Sequence, residues 1–258
     1  MNSLNLKNLT EQLLSSFIEA GKIARKISDE GVKITIKSDK SPVTNGDIEV
    51  NRILVERIKN LTPDIPIISE ETVNLEKKNK NKNFWLIDPI DGTRDYIKKR
   101  DEYTLNAALI INLKPEIGII YAPKKERLFF SYGTGLAFEL SNGKKSQLKC
   151  KKVNSKEIIG LENSSQTPDE ISKIYQKYKV TKKIKMSSSL KFCILAAGEA
   201  DIYAASPRAY EWDIAAGHAI LQHAGGTLTT DDEKELLYGK VGYKNPSILA
   251  KRSKDLSN

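Results

Sequence analysis

The stretch Trp85-Leu86-Ile87-Asp88-Pro89-Ile90-Asp91-Gly92-Thr93 decides both the predicted fold and the predicted site. The apolar run 84–87 is typical of a buried strand, and the proline and glycine that follow it predict a sharp turn. Asp88 and Asp91 therefore stand at a strand end, where open α/β sheets usually carry their sites. Two unpaired buried carboxylates are strongly unfavourable, and a bound cation would relieve that cost. An Asx turn, in which both side chains cap backbone amides, is the alternative for an isolated pair.

Length and composition indicate a globular enzyme. The 258 residues correspond to one large domain or two closely joined ones, and 39% hydrophobic with 29% charged residues is ordinary for such a chain. Cys150 and Cys193 match no metal or redox spacing, which favours a reducing cytosol. No apolar run approaches the roughly 20 residues of a membrane span, and the charges of Glu11, Glu19 and Lys22 argue against a signal-peptide core.

The net charge of +9 raises the question of an anionic partner. The lysines fall into three clusters that we assign to separate loops: Lys77, Lys78, Lys80 and Lys82; Lys144, Lys145, Lys149, Lys151 and Lys152; Lys179, Lys182, Lys183 and Lys185. No aromatic residues are interleaved in the first two clusters, as a groove for single-stranded nucleic acid would require. We interpret the charge as a solvated surface that can steer an anionic substrate. A basic nucleic-acid-binding module is the alternative of a different class.

The elements predicted before this stretch alternate helices and short strands. They are an amphipathic helix at about 8–28, a strand around 34–36, a polar loop over 38–45, a helix starting near Asp47 and a strand over 65–68. Asp47 lies in the first turn of its helix, where the simplest interpretation is that it satisfies free amides. The strand 65–68 ends in the acidic residues Glu70 and Glu71. If it pairs with the strand before Asp88 in one sheet, Glu70, Asp88 and Asp91 converge.

The elements predicted after it form two groups. The first is an antiparallel meander over 103–112, 116–122 and 128–131, followed by a Gly-Thr-Gly hinge at 133–135 and a hairpin of 136–140 with 147–150. The second begins near Ile158 and contains a helix after Pro168, a strand at 184–186, a helix over 190–197, a strand over 202–204, a helix from Trp212, and strands near Leu228 and Ile248. This alternation predicts the α/β class, with mixed sheets covered by helices.

Carboxylates are the remaining candidates for chemistry. His218 and His223 are five residues apart on one helix and cannot form a zinc pair, so His218 is predicted to be a core residue or to support a neighbour of the site. There is no phosphate-binding P-loop and no Gly-x-Ser-x-Gly nucleophile motif. The carboxylate set is Asp47, Glu70, Asp88, Asp91 and Asp213. Oxygen ligands alone select a hard cation, best Mg²⁺, and two such ions about 4 Å apart are the usual device for phosphate ester hydrolysis.

Three motifs in this chain resemble the signatures of the inositol monophosphatase superfamily. They are Ser69-Glu70-Glu71, Asp88-Pro89-Ile90-Asp91-Gly92-Thr93 and Glu211-Trp212-Asp213-Ile214-Ala215-Ala216-Gly217, in the family's order and at similar separations. Within the superfamily the chain looks most like the 3′(2′),5′-bisphosphate nucleotidases, through the segments 41–44, 118–123, 188–193 and 215–219. The resemblance covers nearly the whole chain, and the three motifs together are specific.

The resemblance implies a layered αβαβα sandwich of the inositol monophosphatase and fructose-1,6-bisphosphatase type. An N-terminal α+β part, residues 1–132, would carry most of the metal ligands. A C-terminal α/β part, residues 133–258, would complete the active site with Asp213 and the substrate wall, so that the two parts form one catalytic unit.

The resemblance also implies the metal ligands. Glu70, Asp88 and the backbone carbonyl of Ile90 would hold a first Mg²⁺. Asp88, Asp91 and Asp213 would hold a second, with two or three ions per site.

The catalytic and substrate contacts follow from the same motifs. Thr93 would orient the attacking water, helped by Asp47 or Glu70, and the amides of Gly92 and Thr93 would contact the scissile phosphate. The residues predicted to contact the substrate are Asp91, Gly92, Thr93, Ser188, Ser189, Lys191 and Asp213. The alternative for the segment 187–191 is that its serines only cap a helix and that Lys191 faces solvent.

The expected activity is Mg²⁺-dependent hydrolysis of the 3′-phosphate of 3′-phosphoadenosine 5′-phosphate to AMP, which belongs to sulfur metabolism. The alternative within the superfamily is an inositol-phosphate or other sugar-phosphate monophosphatase. The family often has Gly-Pro-Thr shortly before its Trp-Asp, where this chain has Ser206-Pro207-Arg208, so the substrate pocket is less well predicted than the chemistry. We expect a small-molecule phosphate substrate, no nucleic-acid polymer, no transmembrane segment, a monomer or homodimer, and a cytoplasmic location with peripheral inner-membrane association left open.

Overall fold

The computed structural model describes residues 3–37, 40–76, 79–150, 153, 156–163 and 167–256. The helices are α1 (Ser3–Glu30), α2 (Asn45–Leu61), α3 (Thr93–Ile97), α4 (Asp169–Lys177), α5 (Leu190–Ala197) and α6 (Glu211–His223). The strands are β1 (Ile34–Ile36), β2 (Pro42–Thr44), β3 (Ile67–Ser69), β4 (Phe84–Asp91), β5 (Thr104–Ile111), β6 (Lys114–Ala122), β7 (Arg127–Ser131), β8 (Ala137–Ser141), β9 (Lys144–Gln147), β10 (Ile159–Glu162), β11 (Lys182–Lys185), β12 (Ile202–Ala205), β13 (Thr227–Thr230) and β14 (Ile248–Lys251).

Two mixed sheets and three helical layers alternate. The larger sheet has the order β3-β4-β5-β6-β7-β8-β9, with β3 and β4 parallel and the rest antiparallel. The smaller has the order β11-β10-β12-β14-β13. The larger sheet packs α1 and α2 on one face and α5 and α6 on the other. The smaller sheet covers α5 and α6 from the far side and carries α4 on its outer face. The predicted layered α/β sandwich is confirmed.

The proline predicts that the strand ends near Asp88. Strand β4 instead continues through a β-bulge to Asp91. Asp88 pairs with Asn106 and Asp91 pairs with Thr104, so the two residues 89–90 stand opposite a single residue of β5. A bulge tolerates a proline because the extra residue leaves the ladder of hydrogen bonds. The predicted turn is therefore a local irregularity inside a longer strand.

The bulge decides where the two aspartates point. In a regular strand Asp88 and Ile90 would share a face, because side chains alternate with a period of two. Ile90 instead packs with Trp85 and Ile87 in the core beneath α1 and α2. The extra residue has reversed the alternation, so Asp88 and Asp91 both face the layer that contains α5 and α6.

Two predictions about the chain surface were wrong. The polar loop predicted over 38–45 contains β2, which pairs with β1 as a small antiparallel hairpin; Ser38 and Asp39 lie outside the described residues. The lysines assigned to loops stand partly in strands: Lys144 and Lys145 belong to β9, and 182–185 form β11. Both strands are sheet edges, and edge lysines hinder pairing with a second chain. Lys77, Lys78, Lys151 and Lys152 also lie outside the described residues.

The larger sheet extends past the proposed division of the chain. Strands β8 and β9 lie after residue 132 and pair in series with β7. The smaller sheet begins only with β10. The division into 1–132 and 133–258 stays a prediction.

Helix α6, which carries Asp213, packs closely on β6 at a glycine. A Cβ atom at Gly118 would collide with the carbonyl oxygen of Ala216 and lie 2.9 Å from Cβ of Ala219. A backbone atom of a packed helix cannot move aside at little cost, so Gly118→Ala is expected to lower the free energy of unfolding by about 1–3 kcal/mol. Urea unfolding of the variant and the parent measures this difference. An unchanged midpoint would show that the helix is free to shift on the sheet.

Candidate active site

Three carboxylates from three different elements meet beside the bulge. Oxygen atoms of Glu70, Asp88 and Asp213 all lie within 4.8 Å of one another. Glu70 directly follows β3, whose parallel pairing with β4 places it beside the end of that strand, and its amide donates to the carbonyl of Ile87 at 3.0 Å. The convergence predicted for two neighbouring strands is thus observed for Glu70 and Asp88, and α6 adds Asp213.

Asp88 is the most buried member of this cluster, at 1% exposed. Its Oδ1 has no hydrogen-bond partner among the described residues. Burial raises its pKa well above the ordinary value, and the charges of Glu70, Asp91 and Asp213 raise it further. The Asx-turn alternative was wrong, because the amide that Asp91 accepts from belongs to Ser189, far along the chain.

Asp47 and Asp213 occupy equivalent positions in the first turns of α2 and α6. Asp47 Oδ2 accepts from the amide of Thr44 at 2.8 Å, and Asp213 Oδ2 accepts from the amide of Tyr210 at 2.8 Å. Both therefore cap their helices, as the simplest interpretation of Asp47 required. The capping bond uses one oxygen of each carboxylate, so the second oxygen can accept another hydrogen bond or bind a cation. In Asp47 that oxygen, Oδ1, lies 3.3 Å from the hydroxyl of Thr93.

Thr93 links Asp47 to the turn that follows β4. Its hydroxyl lies within donating distance of Asp47 Oδ1, at 3.3 Å, and of the Ile90 carbonyl, at 3.1 Å. Gly92 precedes it with φ +89°, a left-handed conformation that a side chain rarely adopts. This glycine sets the direction in which α3 leaves the strand and so places the Thr93 hydroxyl.

Asp91 lies in the same cavity but outside the three-carboxylate cluster. Its Oδ2 accepts from the amide of Ser189. Burial raises the pKa of Asp91 to about 6, and the ammonium of Lys191 opposes that rise. Asp91 thus stands between the acidic cluster and the segment that precedes α5.

The segment 187–191 is only partly exposed to the cavity. Ser189 is 2% exposed, and its hydroxyl bonds to Thr104 at 2.8 Å and to Asn106 at 2.6 Å. Lys191 does not face solvent, so that alternative was wrong. It is 4% exposed and donates to the carbonyls of Met186 at 3.2 Å and Ser188 at 2.7 Å. Burial lowers the pKa of Lys191 to about 8.

Ser188 is the most strained residue of this segment. It holds a left-handed backbone with φ +56°, an uncommon conformation for a residue with a side chain. Its carbonyl accepts from Lys191. The lysine therefore stabilises the backbone that brings Ser188 next to Gly92.

Lys37 was not predicted to belong to the site. Its ammonium lies 3.2 Å from Oε1 of Glu70 and 3.0 Å from the carboxylate of Glu71. Burial raises the pKa of Glu71 to about 7, and the bond from Lys37 opposes that rise. One lysine after a three-residue strand carries no pattern, so the sequence contained no signal for this contact.

The histidines take no part in the cluster. His218 is 4% exposed, and its Nδ1 lies 2.9 Å from the hydroxyl of Tyr238. Burial lowers the pKa of His218 to about 3, which leaves it neutral. The prediction of a packed core histidine is confirmed. Cys150 and Cys193 are free thiols.

A cavity of 630 Å³ connects the acidic cluster with the segment 187–191. Its lining contains residues of the acidic cluster, the turn 90–93, the segment 187–191 and several basic side chains. The all-oxygen donor set and the unpartnered buried Oδ1 of Asp88 fit a hard divalent cation. None of the described helices is both long and apolar enough to cross a membrane.

Comparison with known proteins identifies relatives of this chain. The 3′(2′),5′-bisphosphate nucleotidase CysQ of Salmonella typhimurium is 33% identical over 244 residues, covering 93% of this chain and 98% of the relative. The Buchnera aphidicola CysQ is 35% identical over 228 residues, covering 86% and 85%. The crystal structure of CysQ from Bacteroides thetaiotaomicron is similar with a TM-score of 0.76 and 30% identity, over 95% of this chain and 97% of that one.

The family profile of the inositol monophosphatases matches residues 5–257, so it includes every residue of the acidic cluster. The match spans both sheets and all the helices that position these side chains. Together with the relatives named above, it shows that this chain belongs to the inositol monophosphatase family and is a phosphatase of that superfamily.

Proposed function

We propose that this phosphatase is a Mg²⁺-dependent 3′(2′),5′-bisphosphate nucleotidase that releases the 3′-phosphate of 3′-phosphoadenosine 5′-phosphate to give AMP. The observation that carries the proposal is the meeting of Glu70, Asp88 and Asp213 within 4.8 Å in a cavity that also holds basic side chains. An acidic cluster suits cations, and basic residues beside it suit an anionic substrate. The CysQ relatives support the choice of substrate.

The proposed metal ligands are the predicted ones. Glu70, Asp88 and the carbonyl of Ile90 would hold one Mg²⁺, and Asp88, Asp91 and Asp213 another, with two or three ions in all. Bound Mg²⁺ supplies Lewis acidity, which makes water a better nucleophile and neutralises charge on the phosphate. Asp88 has oxygen atoms within 4.8 Å of those of both Glu70 and Asp213, and its buried Oδ1 has no partner among the described residues, which suits Asp88 to a shared role.

The chain's own groups would orient the attacking water. When the Thr93 hydroxyl donates its hydrogen to Asp47 Oδ1, its oxygen lone pairs are free to accept a hydrogen from water. The second oxygen of Asp47 is held by the amide of Thr44, so the carboxylate cannot rotate away. Burial raises the pKa of Asp47, which makes it a better proton acceptor than an exposed aspartate. Glu70 is the alternative acceptor.

The proposed substrate contacts line the same cavity as the acidic cluster. Gly92 and Thr93 would meet the scissile phosphate through their amides. Ser188, Ser189 and Lys191 would lie near the nucleotide. Lys191 already gives two of its three ammonium hydrogens to backbone carbonyls, so one remains for the substrate.

The test is phosphate release from a panel of substrates with Mg²⁺ and with a chelator. We expect Mg²⁺-dependent turnover, with a higher kcat/KM for 3′-phosphoadenosine 5′-phosphate than for inositol 1-phosphate or a sugar monophosphate. Proton-decoupled phosphorus NMR identifies AMP, rather than adenosine 3′-phosphate, as the expected product. A preference for inositol 1-phosphate would move the assignment to the sugar-phosphate phosphatases, and turnover in the chelator would contradict the metal requirement.

We also propose a cytoplasmic enzyme that works as a monomer or homodimer, with peripheral association at the inner membrane left open. The two free thiols support a reducing compartment. Cell fractionation and light scattering test these two points.

A further inference from the structure

The basic side chains of the cavity differ in what they already bind. They are Arg94, Lys98, Arg100, Lys191 and Arg208. Arg100 forms an ion pair with Asp95 at 3.0 Å, and Lys191 donates to two carbonyls. Within the described part of the chain, the side chains of Arg94, Lys98 and Arg208 form no hydrogen bond or ion pair. Among the described residues, these three cations are therefore wholly uncommitted, whereas Lys191 keeps only one ammonium hydrogen for a ligand.

Arg208 is held on an anchored backbone between β12 and α6. On one side, the Ser206 hydroxyl donates to Glu170 of α4. On the other, Asn245 donates its amide to the Ala209 carbonyl at 3.0 Å and its side-chain amide to the Tyr210 carbonyl at 2.8 Å. The loop is thus held on both sides of Arg208, while Arg208 itself is exposed. Because the backbone is already anchored, only the side chain needs to be ordered when a ligand binds, which lowers the ordering cost of binding.

Arg208 lines the same cavity as Asp91, Asp213 and the segment 187–191. Arg94 and Lys98 also line it, but they lie in α3 and directly after it. Arg208 is therefore the available cation that stands on the segment leading into α6, the helix that carries Asp213.

We propose that Arg208 is a specificity-determining residue that binds the phosphate that is not cleaved. This assignment rests on the function proposed above and names the group that selects a nucleoside bisphosphate over a monophosphate. A second phosphate must enter a cavity that already contains several carboxylates, so it needs a cation that is not committed elsewhere. A guanidinium suits this task because its planar fork binds phosphate through two hydrogen bonds.

The experiment compares two substrates that differ only in the second phosphate, 3′-phosphoadenosine 5′-phosphate and adenosine 3′-phosphate. Arg208→Gln is expected to raise KM for the bisphosphate about tenfold to hundredfold, the equivalent of one or two charge-assisted hydrogen bonds. Its kcat should change little, because the contact lies away from the reacting bond. KM for adenosine 3′-phosphate should change far less. Arg208→Lys keeps the charge without the planar fork, so its KM for the bisphosphate should lie between those of the parent and Arg208→Gln.

Lys98→Gln is the matched control, since it removes one positive charge from the same cavity without touching the proposed subsite. Lys98→Gln should change KM for both substrates by the same small factor. Equal effects of Arg208→Gln on the two substrates, or none, would overturn the assignment. The wild-type enzyme separates the two proposals. If it has no preference for the bisphosphate, both fail; if its preference survives Arg208→Gln, only the role of Arg208 fails.

Discussion

Asp88→Asn is expected to abolish Mg²⁺-dependent phosphate release while leaving the fold intact. A carboxylate shared by two ions contributes several kcal/mol to stabilising the charge that develops on the phosphate, so its loss should lower kcat/KM by about 10³-fold or more. Asparagine has nearly the same shape, and Oδ1 of Asp88 has no hydrogen-bond partner among the described residues that the change would remove. Phosphate release and circular dichroism measure the two parts of this expectation.

The same variant is expected to be at least as stable as the parent when no divalent cation is present. The pKa of Asp88 lies well above its ordinary value because of burial and because of the charges of Glu70, Asp91 and Asp213. A carboxyl whose pKa is higher in the folded than in the unfolded chain destabilises the fold increasingly as the pH rises above its unfolded-state pKa, so this cost is present at neutral pH. In thermal unfolding with a chelator at about pH 7.5–8, the midpoint for Asp88→Asn should be equal to or higher than that of the parent.

Glu71→Gln is the control for removing one acid near the site. Glu71 neighbours Glu70 but lies outside the three-carboxylate cluster, and a glutamine in its place can still accept a hydrogen bond from Lys37. We expect this variant to keep most of its turnover and its stabilisation by Mg²⁺.

Full Mg²⁺-dependent turnover by Asp88→Asn would show that Asp88 is not a metal ligand.

Thr93→Val is expected to lose most of the turnover and keep the metal. The hydroxyl lies between Asp47 Oδ1, at 3.3 Å, and the Ile90 carbonyl, at 3.1 Å, and it contributes no carboxylate oxygen to the cluster. Loss of one positioned group in general acid–base catalysis lowers the rate by about 10²- to 10⁴-fold. Valine has the size and branching of threonine, so the turn after β4 should be kept.

Two measurements separate this role from a structural one. The rise in melting temperature on adding Mg²⁺ reports binding to the folded state, and it should be the same for Thr93→Val and the parent. Thr93→Ser restores a hydroxyl and should recover much of kcat. Unchanged turnover in Thr93→Val, or a lost response to Mg²⁺, would mean that Thr93 does not orient the water.

Local sequence patterns predict most of the elements and the identity of the acids. Helices α5 and α6, the meander of β5 to β7 and the parallel placement of Glu70 beside Asp88 follow from local periodicity and from strand ends that meet at one edge. These are properties of neighbouring residues, and such patterns can be read along the chain. The three acidic motifs could be recognised for the same reason. Their assigned roles, and the division of the chain, stay predictions.

Which of these residues lie close together depends on the packing of distant segments. The bulge in β4 turns Asp91 to the face of Asp88, and only the register against Asn106 and Thr104 shows it. Nothing local marked the burial of Lys191 against the carbonyls of Met186 and Ser188. Strand register and contacts between distant segments depend on the packing of whole layers, and no single stretch of sequence contains that information.

The same reason explains the lysines and Lys37. The strands of Lys144 and Lys182 are polar and short, so the sequence predicts loops there; pairing with β8 and β10 makes them strands. Lys37 approaches Glu70 because β1 pairs with β2 beside the site. The local sequence identifies the candidate acids, and long-range pairing brings Glu70, Asp88 and Asp213 together.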